Sequence, residues 1–494
     1  MIYRNGFFGV IKDKHISSFQ FILLFTFKCL AIPVFYWVYQ HYYGGLKNFD
    51  AGKFFDDSKV INGLALDHPL EYVKLLFGFQ ADQEGTFLYE NYIKYTANWD
   101  EGTSWRLFFN DNRTMIRLHS IIHFISFNTY SVHALISCLL SFIGIALIFR
   151  SLKHLFIGKE IWLLLGFVAL PNLWLFSGAL LKEPLVVFQI GLIFLISDRV
   201  LHRGLSSIKK LFYLIFICFL GYVLKPQVVL PVAFFYLIYK LVLAIPVNYK
   251  GMLYIVLLIV GITIVNFVFV PVKKMTMFSF INKKQIEFYD AMKGGIFLKD
   301  NEKFVRLPYD QTLLIKDSAE SQSNIRIKKG VSFMYWEHHH QKDTLYCSSN
   351  LDTTTNYTVV YQIVPARSSY SIEPLALNSN IFSTLASSTY YGLFYPVKFD
   401  TLLNSIVSLE NILYMLCFII VLVGIIRSHQ RIHLLFFLSL VLVFVAFIGI
   451  ATPNIGAIVR YRSVITPFLF IAAVKTIITF YDTGKFYRRS NKSI

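Results

Sequence analysis

Long apolar runs separated by short polar turns dominate this chain. Ten runs approach the roughly 20 helical residues needed to cross a hydrocarbon core. They fall at 17–40, 130–150, 160–180, 184–200, 211–224, 228–246, 251–272, 402–426, 433–451 and 463–481. Pro226 and Pro231 interrupt the fifth and sixth, which read as a hairpin rather than one helix. The pattern predicts a mainly α, polytopic α-helical membrane protein of about ten transmembrane helices. It has three parts: a membrane core over 1–272 with a long first loop at 41–129, a polar segment at 273–401, and three closing spans with a basic tail at 402–494. Within the first loop, Met115–Phe127 reads as an amphipathic helix lying at the membrane interface. The 273–401 segment contains a Thr/Tyr/Val-rich stretch, Thr353–Val364, suited to strands, so it reads as an outward-facing mixed α/β or β-rich domain.

Charge orients these spans. With the N-terminus inside, the inner loops carry Arg150, Lys153 and Lys159, then Arg199, Arg203, Lys209 and Lys210, then Lys250, then Arg427 and Arg431. The C-terminal tail adds Lys485, Arg488, Arg489 and Lys492. Every short loop placed in the cytoplasm is basic, as the positive-inside bias requires, so both termini are expected there. Among the 494 residues, 55% are hydrophobic and 15% charged, against about 25% charged in an average soluble protein. The formal charge of +18 is then explained by loop bias, and nucleic acid is not an expected partner. Four of the five cysteines, Cys29, Cys138, Cys218 and Cys417, lie in apolar spans, which leaves Cys347 without a structural disulfide partner in the large loop.

Polar residues beside spans are costly and often mark sites. Four outward-facing clusters stand out. Asn48-Phe-Asp-Ala-Gly-Lys-Phe-Phe-Asp-Asp-Ser follows the first span. In a helix, Asp50, Phe54 and Asp57 share one face, and a carboxylate there suits proton acceptance from a sugar hydroxyl. The plainer reading is a solvated helix N-terminus with surface acids. Ser177-Gly-Ala-Leu-Leu-Lys-Glu-Pro places Lys182 and Glu183 at a tight turn, either as a phosphate-binding lysine held by its neighbour or as a neutral pair capping a hairpin. Lys225 stands on the outer side against the orientation rule and calls for an anion, either a phosphate or Glu183. Arg460 and Arg462 flank Tyr461 with planar forks suited to phosphate, the alternative being contact with lipid headgroups.

Weaker features complete the reading. Glu337-His338-His339-His340 lacks the spacing of a zinc site and reads as a surface cluster. Arg113, Arg117, His119 and His123 recur at helical intervals and read as the polar face of the interfacial helix. Asn112-Arg-Thr and Asn356-Tyr-Thr match glycosylation acceptors. Lys28 and Lys240 are the ionisable residues evident within spans, and both are long enough to snorkel.

Asp50-Ala-Gly-Lys-Phe-Phe-Asp-Asp resembles the first-loop acidic motif of the GT-C superfamily of multispan glycosyltransferases. Ser177-Gly-Ala-Leu-Leu-Lys-Glu and Asn454-Ile-Gly-Ala-Ile-Val-Arg-Tyr-Arg resemble segments of bacterial envelope-polysaccharide membrane proteins. The resemblance implies an enzyme of the bacterial cytoplasmic (inner) membrane with its active site facing the periplasm or exterior. It further implies a lipid-linked sugar donor on a polyprenyl phosphate, a glycan or protein acceptor, and contact with membrane lipid. Asp50 would be the catalytic base, with Asp57 second; Lys182, Glu183, Lys225, Arg460 and Arg462 would form the substrate-binding set. No cofactor is demanded, though a divalent cation is compatible with the acids. Two alternatives stay open: an O-antigen-like polysaccharide polymerase or ligase leaning on Arg460, Arg462 and a loop histidine, and a non-catalytic subunit of an envelope export complex or transporter.

Overall fold

The computed structural model describes residues 16–42, 44–79, 85–99, 110–202, 208–273, 281, 303–307, 333–339, 342–348, 358–361, 381–428, 431–452 and 455–490. Helices dominate. Those used below are α1 (Ser18–Tyr42), α2 (Asp50–Asp67), α3 (Asp111–Ser126), α4 (Tyr130–Leu152), α5 (Lys182–His202), α6 (Ile208–Leu224), α7 (Pro226–Ala244), α8 (Lys250–Lys273), α9 (Ile381–Phe394), α10 (Leu402–Arg427), α11 (Arg431–Ala451), α12 (Ile455–Arg462) and α13 (Pro467–Ser490). Among the described residues, six helices are long and apolar enough to cross a membrane: α1, α4, α7, α8, α10 and α11. The pair α12 and α13, bent by 54°, makes a seventh if counted as one span. Thus the chain has the architecture of an α-helical membrane protein.

Local sequence explains where several helices start. Ser17 caps α1 in a box with Gln20, satisfying amide groups that have no partner within the helix. Asn110 accepts from the Arg113 amide at 2.7 Å at the head of α3. Proline occupies the first position of α7 and α13, where its missing N–H costs nothing. The apolar run at 160–180 is not one helix. It forms two short helices, Ile161–Val168 and Pro171–Phe176, because Pro171 forces the preceding Leu170 out of the helical region, to ψ 123°.

Two compact units divide the chain. The first comprises Met1–Ile264, Pro396–Phe444 and Arg460–Ile494. Here α4 and α5 cross in backbone contact. A Cβ on Gly144 would stand 2.5 Å from the Val187 carbonyl oxygen, and one on Gly191 would stand 2.4 Å from that of Gly144. Only glycine permits such an approach, which maximises dispersion contact where no hydrophobic effect operates between lipid-bathed helices. Aromatic stacking fills the neighbouring core: Phe194 lies 3.9 Å from Tyr236, and Tyr239 lies 4.4 Å from Phe436, between ring centres.

The first-loop helix α3 reverses the expected orientation. Arg113, Arg117, His119 and His123 are buried, whereas Ile121, Phe124 and Ile125 are exposed. The polar stripe faces the protein, where several of its groups find partners. Ser58 Oγ lies 3.0 Å from His123 Nε2, Asn62 donates to the Ser120 carbonyl at 3.0 Å, and the Arg113 and Arg117 guanidinium groups stack on Trp99. Periodicity reveals two faces but does not say which one meets lipid.

The second unit comprises Val265–Tyr395 and Val445–Val459. In it α9 meets the end of α11 through glycines: a Cβ on Gly392 would lie 2.1 Å from the Val445 carbonyl oxygen. Four short strands, β1 (Lys303–Leu307), β2 (Phe333–His339), β3 (Lys342–Ser348) and β4 (Thr358–Tyr361), form one sheet in the order β3-β2-β1-β4. β1 pairs antiparallel with β2 and parallel with β4. β4 falls within the Thr353–Val364 stretch; the rest of that stretch, like His340 and Asn356, lies outside the described residues.

Candidate functional site

The site is built from four stretches of the first unit. After α1 the backbone reverses through Gly44 and Gly45, both at positive φ, and a single 3-10 turn, Leu46–Asn48, leads into α2. Gly52 seats α2 directly on that turn, since a Cβ there would stand 2.4 Å from the Leu46 carbonyl oxygen. This fixes the direction in which Asp50, the first residue of the helix, presents its carboxylate. The helix start also favours a negative charge at that position.

The second turn, 177–181, is anchored from beneath. Lys28 donates to Ser177 Oγ, and Ser141 Oγ donates to the Ser177 carbonyl at 2.9 Å. Lys28 is fully buried, so the snorkelling expected from the sequence does not occur; a hydroxyl within the bundle holds its ammonium instead. From this turn α5 begins with Lys182 and Glu183. The third turn places Lys225 immediately before Pro226, outside the helical region at φ −149°, ψ 78°. The fourth is α12, which carries Arg460 and Arg462.

These turns converge. Arg460 Nη1 donates to Asp50 Oδ2 at 2.9 Å, and its Nε lies 3.3 Å from Glu183 Oε1. The same Glu183 oxygen accepts from Lys225 Nζ at 2.6 Å. Lys225 also stands 4.2 Å above the centre of the Tyr461 ring, a cation–π contact that helps hold a desolvated ammonium. Lys182 turns the other way, donating to Asp111 Oδ2 at 2.5 Å and Asn112 Oδ1 at 2.8 Å, with the Phe54 ring 5.5 Å away. Asp111 acts electrostatically on Lys225 as well, so the two groups form one field. Three acids and three bases thus alternate, with Glu183 Oε2 left buried and without a hydrogen-bond partner.

Of the sequence-predicted residues, Asp50, Lys182, Glu183, Lys225 and Arg460 lie in this cluster. Glu183 holds Lys225 and Arg460 rather than its neighbour Lys182. Asp57 stands apart: both its oxygens accept backbone amides, from Ala97 and Asn98, each at 2.8 Å. Burial raises the proton affinity of its carboxyl, and the two amides oppose that shift. Its geometry is that of a clamp on the first loop. Arg462 also points elsewhere, into a buried network where it donates to Asn411 Oδ1 and where Glu410 accepts from Tyr414 and from the Asn172 amide.

Asp111 and Asn112 were missed as site residues by sequence reasoning. Asn112 carried only a glycosylation signal, and Asp111 lies 71 residues from the lysine it pairs with. Glu410 was missed too, although a glutamate inside the span 402–426 was a signal in plain view. Among the described residues, no group of three or more His, Cys, Asp or Glu is arranged to hold a metal ion. No family model matches the chain, and neither does any curated protein or solved structure.

Proposed function

We propose that the chain is a GT-C-type membrane glycosyltransferase that moves a sugar from a lipid-phosphate-linked donor to an acceptor at the outer face of the membrane. The observation carrying this reading is the meeting of Asp50 with Arg460, Glu183 and Lys225. A first-loop carboxylate pairs with the arginine of one later turn, which the buried Glu183 links to the lysine of another. The basic loops support a cytoplasmic N-terminus and about ten spans, with α5, α6 and the broken 160–180 segment crossing beside the longer helices. In this reading the cluster faces the periplasmic or exterior side of a bacterial inner membrane.

In this reading Asp50 takes the proton of the acceptor hydroxyl. The acceptor oxygen bonds to the anomeric carbon as the bond from that carbon to the phosphate oxygen breaks. The leaving polyprenyl phosphate keeps the electron pair, and Arg460, Lys225 and Lys182 offset its charge, a contribution that a water-poor site magnifies. Asp57 is not needed for the step. The polymerase-or-ligase alternative asks Arg460 and Arg462 to meet the donor together; the engagement of Arg462 with Asn411 favours the acid-based reading.

The test uses the full chain in proteoliposomes supplied with a panel of polyprenyl-phosphate sugars and an envelope glycan fraction as acceptor. Release of sugar-free polyprenyl phosphate, read by mass spectrometry, is expected from the wild type and lost in Asp50→Asn. Full release from Asp50→Asn would sink the assignment of the base, and no release from any donor would sink the enzyme.

A further inference from the structure

The two cation–acid pairs contributed by the first loop share a design. Asp50 opens α2 and Asp111 opens α3; each is the first residue of its helix. Each reaches one basic side chain from a later turn. In both pairs the acid is open to solvent and the base is not: side-chain exposure is 42% for Asp50 against 19% for Arg460, and 40% for Asp111 against 11% for Lys182. Glu183 is the opposite case, at 1%, and its partner Lys225 is at 6%.

This asymmetry ranks the contacts. An ion pair with one partner well exposed is screened and weak, whereas breaking one partner from a buried pair leaves an uncompensated charge at high cost. Arg460 stays anchored through Glu183 when Asp50 lets go. Lys182 keeps its hydrogen bond to Asn112 when Asp111 lets go. A phosphate offers an arginine two parallel acceptors, a stronger arrangement than the single Asp50 oxygen engaged here.

We propose that Asp50 and Asp111 are place-holding anions, which surrender Arg460 and Lys182 to the phosphate of an arriving polyprenyl phosphate. The exchange rests on the glycosyltransferase reading and adds to it an order of events. The donor must seat before Asp50 is unpaired, and only an unpaired Asp50 turns to the acceptor hydroxyl. The empty site is therefore self-neutralised, and Asp50 stays paired with Arg460 until a donor is present.

Removing a place-holder should make the ligand bind more tightly even as chemistry fails. The experiment measures affinity for sugar-free polyprenyl phosphate by native mass spectrometry of the full chain in lipid nanodiscs, with inorganic phosphate as a competitor. Asp50→Asn and Asp111→Asn are each expected to tighten binding, by up to about fivefold. Asp67→Asn, an exposed acid of α2 that accepts from Tyr92 and touches none of these cations, is expected to leave it unchanged. Both test residues are only half-buried, and a retained melting temperature confirms folding. Competition by free phosphate at matching concentration would identify the headgroup alone as the displacing anion and still support the exchange; failure of that competition would add the lipid chain to recognition. Unchanged or weaker binding in both acid variants overturns the exchange while leaving the enzyme reading to its own assay. Absence of binding by the wild type overturns both.

Discussion

Lys225 donates to Glu183 at 2.6 Å, and the two side chains are almost completely buried. This pair is the fixed centre of the cluster, since Arg460 leans on the same oxygen. Replacing Glu183 by Gln leaves two buried cations without their shared anion. A loss of about 3–5 kcal/mol is expected, read as a lowered melting temperature in detergent. The double variant Glu183→Gln, Lys225→Met should recover part of it, and equal losses in both would show that the pair contributes nothing.

Gly52 and Gly63 lie on the same helix and make opposite predictions. A methyl group at 52 collides with the Leu46–Lys47 backbone, whereas one at 63 meets nothing within 4 Å. Gly52→Ala should destabilise by about 1–3 kcal/mol and, by displacing Asp50, cut sugar transfer. Gly63→Ala should stabilise by about 0.5–1 kcal/mol. Thermal melts of the two variants side by side decide the matter, and a harmless Gly52→Ala would remove the seat from under α2.

His119 carries a pH signature. It is buried beside His133, with 3.0 Å between their Nδ1 atoms, and burial together with its histidine neighbours pushes its pKa well below the usual 6.5. His123 shifts in the same direction, mainly by burial. The unfolded chain therefore takes up protons below about pH 6.5 that the folded chain refuses, and stability falls as pH drops from there toward the depressed folded values. Each such histidine contributes up to about 1.4 kcal/mol per pH unit in that window. His119→Gln should flatten the melting temperature between pH 6.5 and pH 5; an equally steep profile in that variant would place the sensitivity elsewhere.

Asp57 is expected to matter for structure rather than chemistry. Asp57→Ala removes both acceptors of the Ala97 and Asn98 amides, at a cost of about 3–6 kcal/mol for two hydrogen bonds to a charged group. Hydrogen exchange at those amides should accelerate while polyprenyl phosphate binding persists. Loss of binding with slow exchange retained would return Asp57 to the site.

Much of this was readable before any coordinates. Six of the ten apolar runs form helices long enough to cross a membrane among the described residues, and five of the six charges in the cluster, all but Asp111, were visible beside apolar runs. What the sequence could not supply was pairing. Arg460 and Asp50 stand 410 positions apart, and nothing local tells a cation which of several acids it will meet. Glu183 was offered to both its neighbour Lys182 and the distant Lys225; Lys225 takes it, because successive residues at a helix start point in different directions. Arg462 was grouped with Arg460 for the same reason; two positions along a helix turn a side chain by about 200°, which sends one arginine to the cluster and the other to Asn411. The polar stripe of α3 was read as an open polar face because hydrophobic periodicity does not say whether water or protein covers the polar side.

Where Gly144 and Gly191 let two main chains touch, there is no cushion of side-chain atoms to slide or tilt upon. Helices joined that way behave as a single girder. Any rearrangement during a working cycle must then carry α4 and α5 together, so the turn that opens α5, with Lys182 and Glu183 upon it, moves only as far as α4 does.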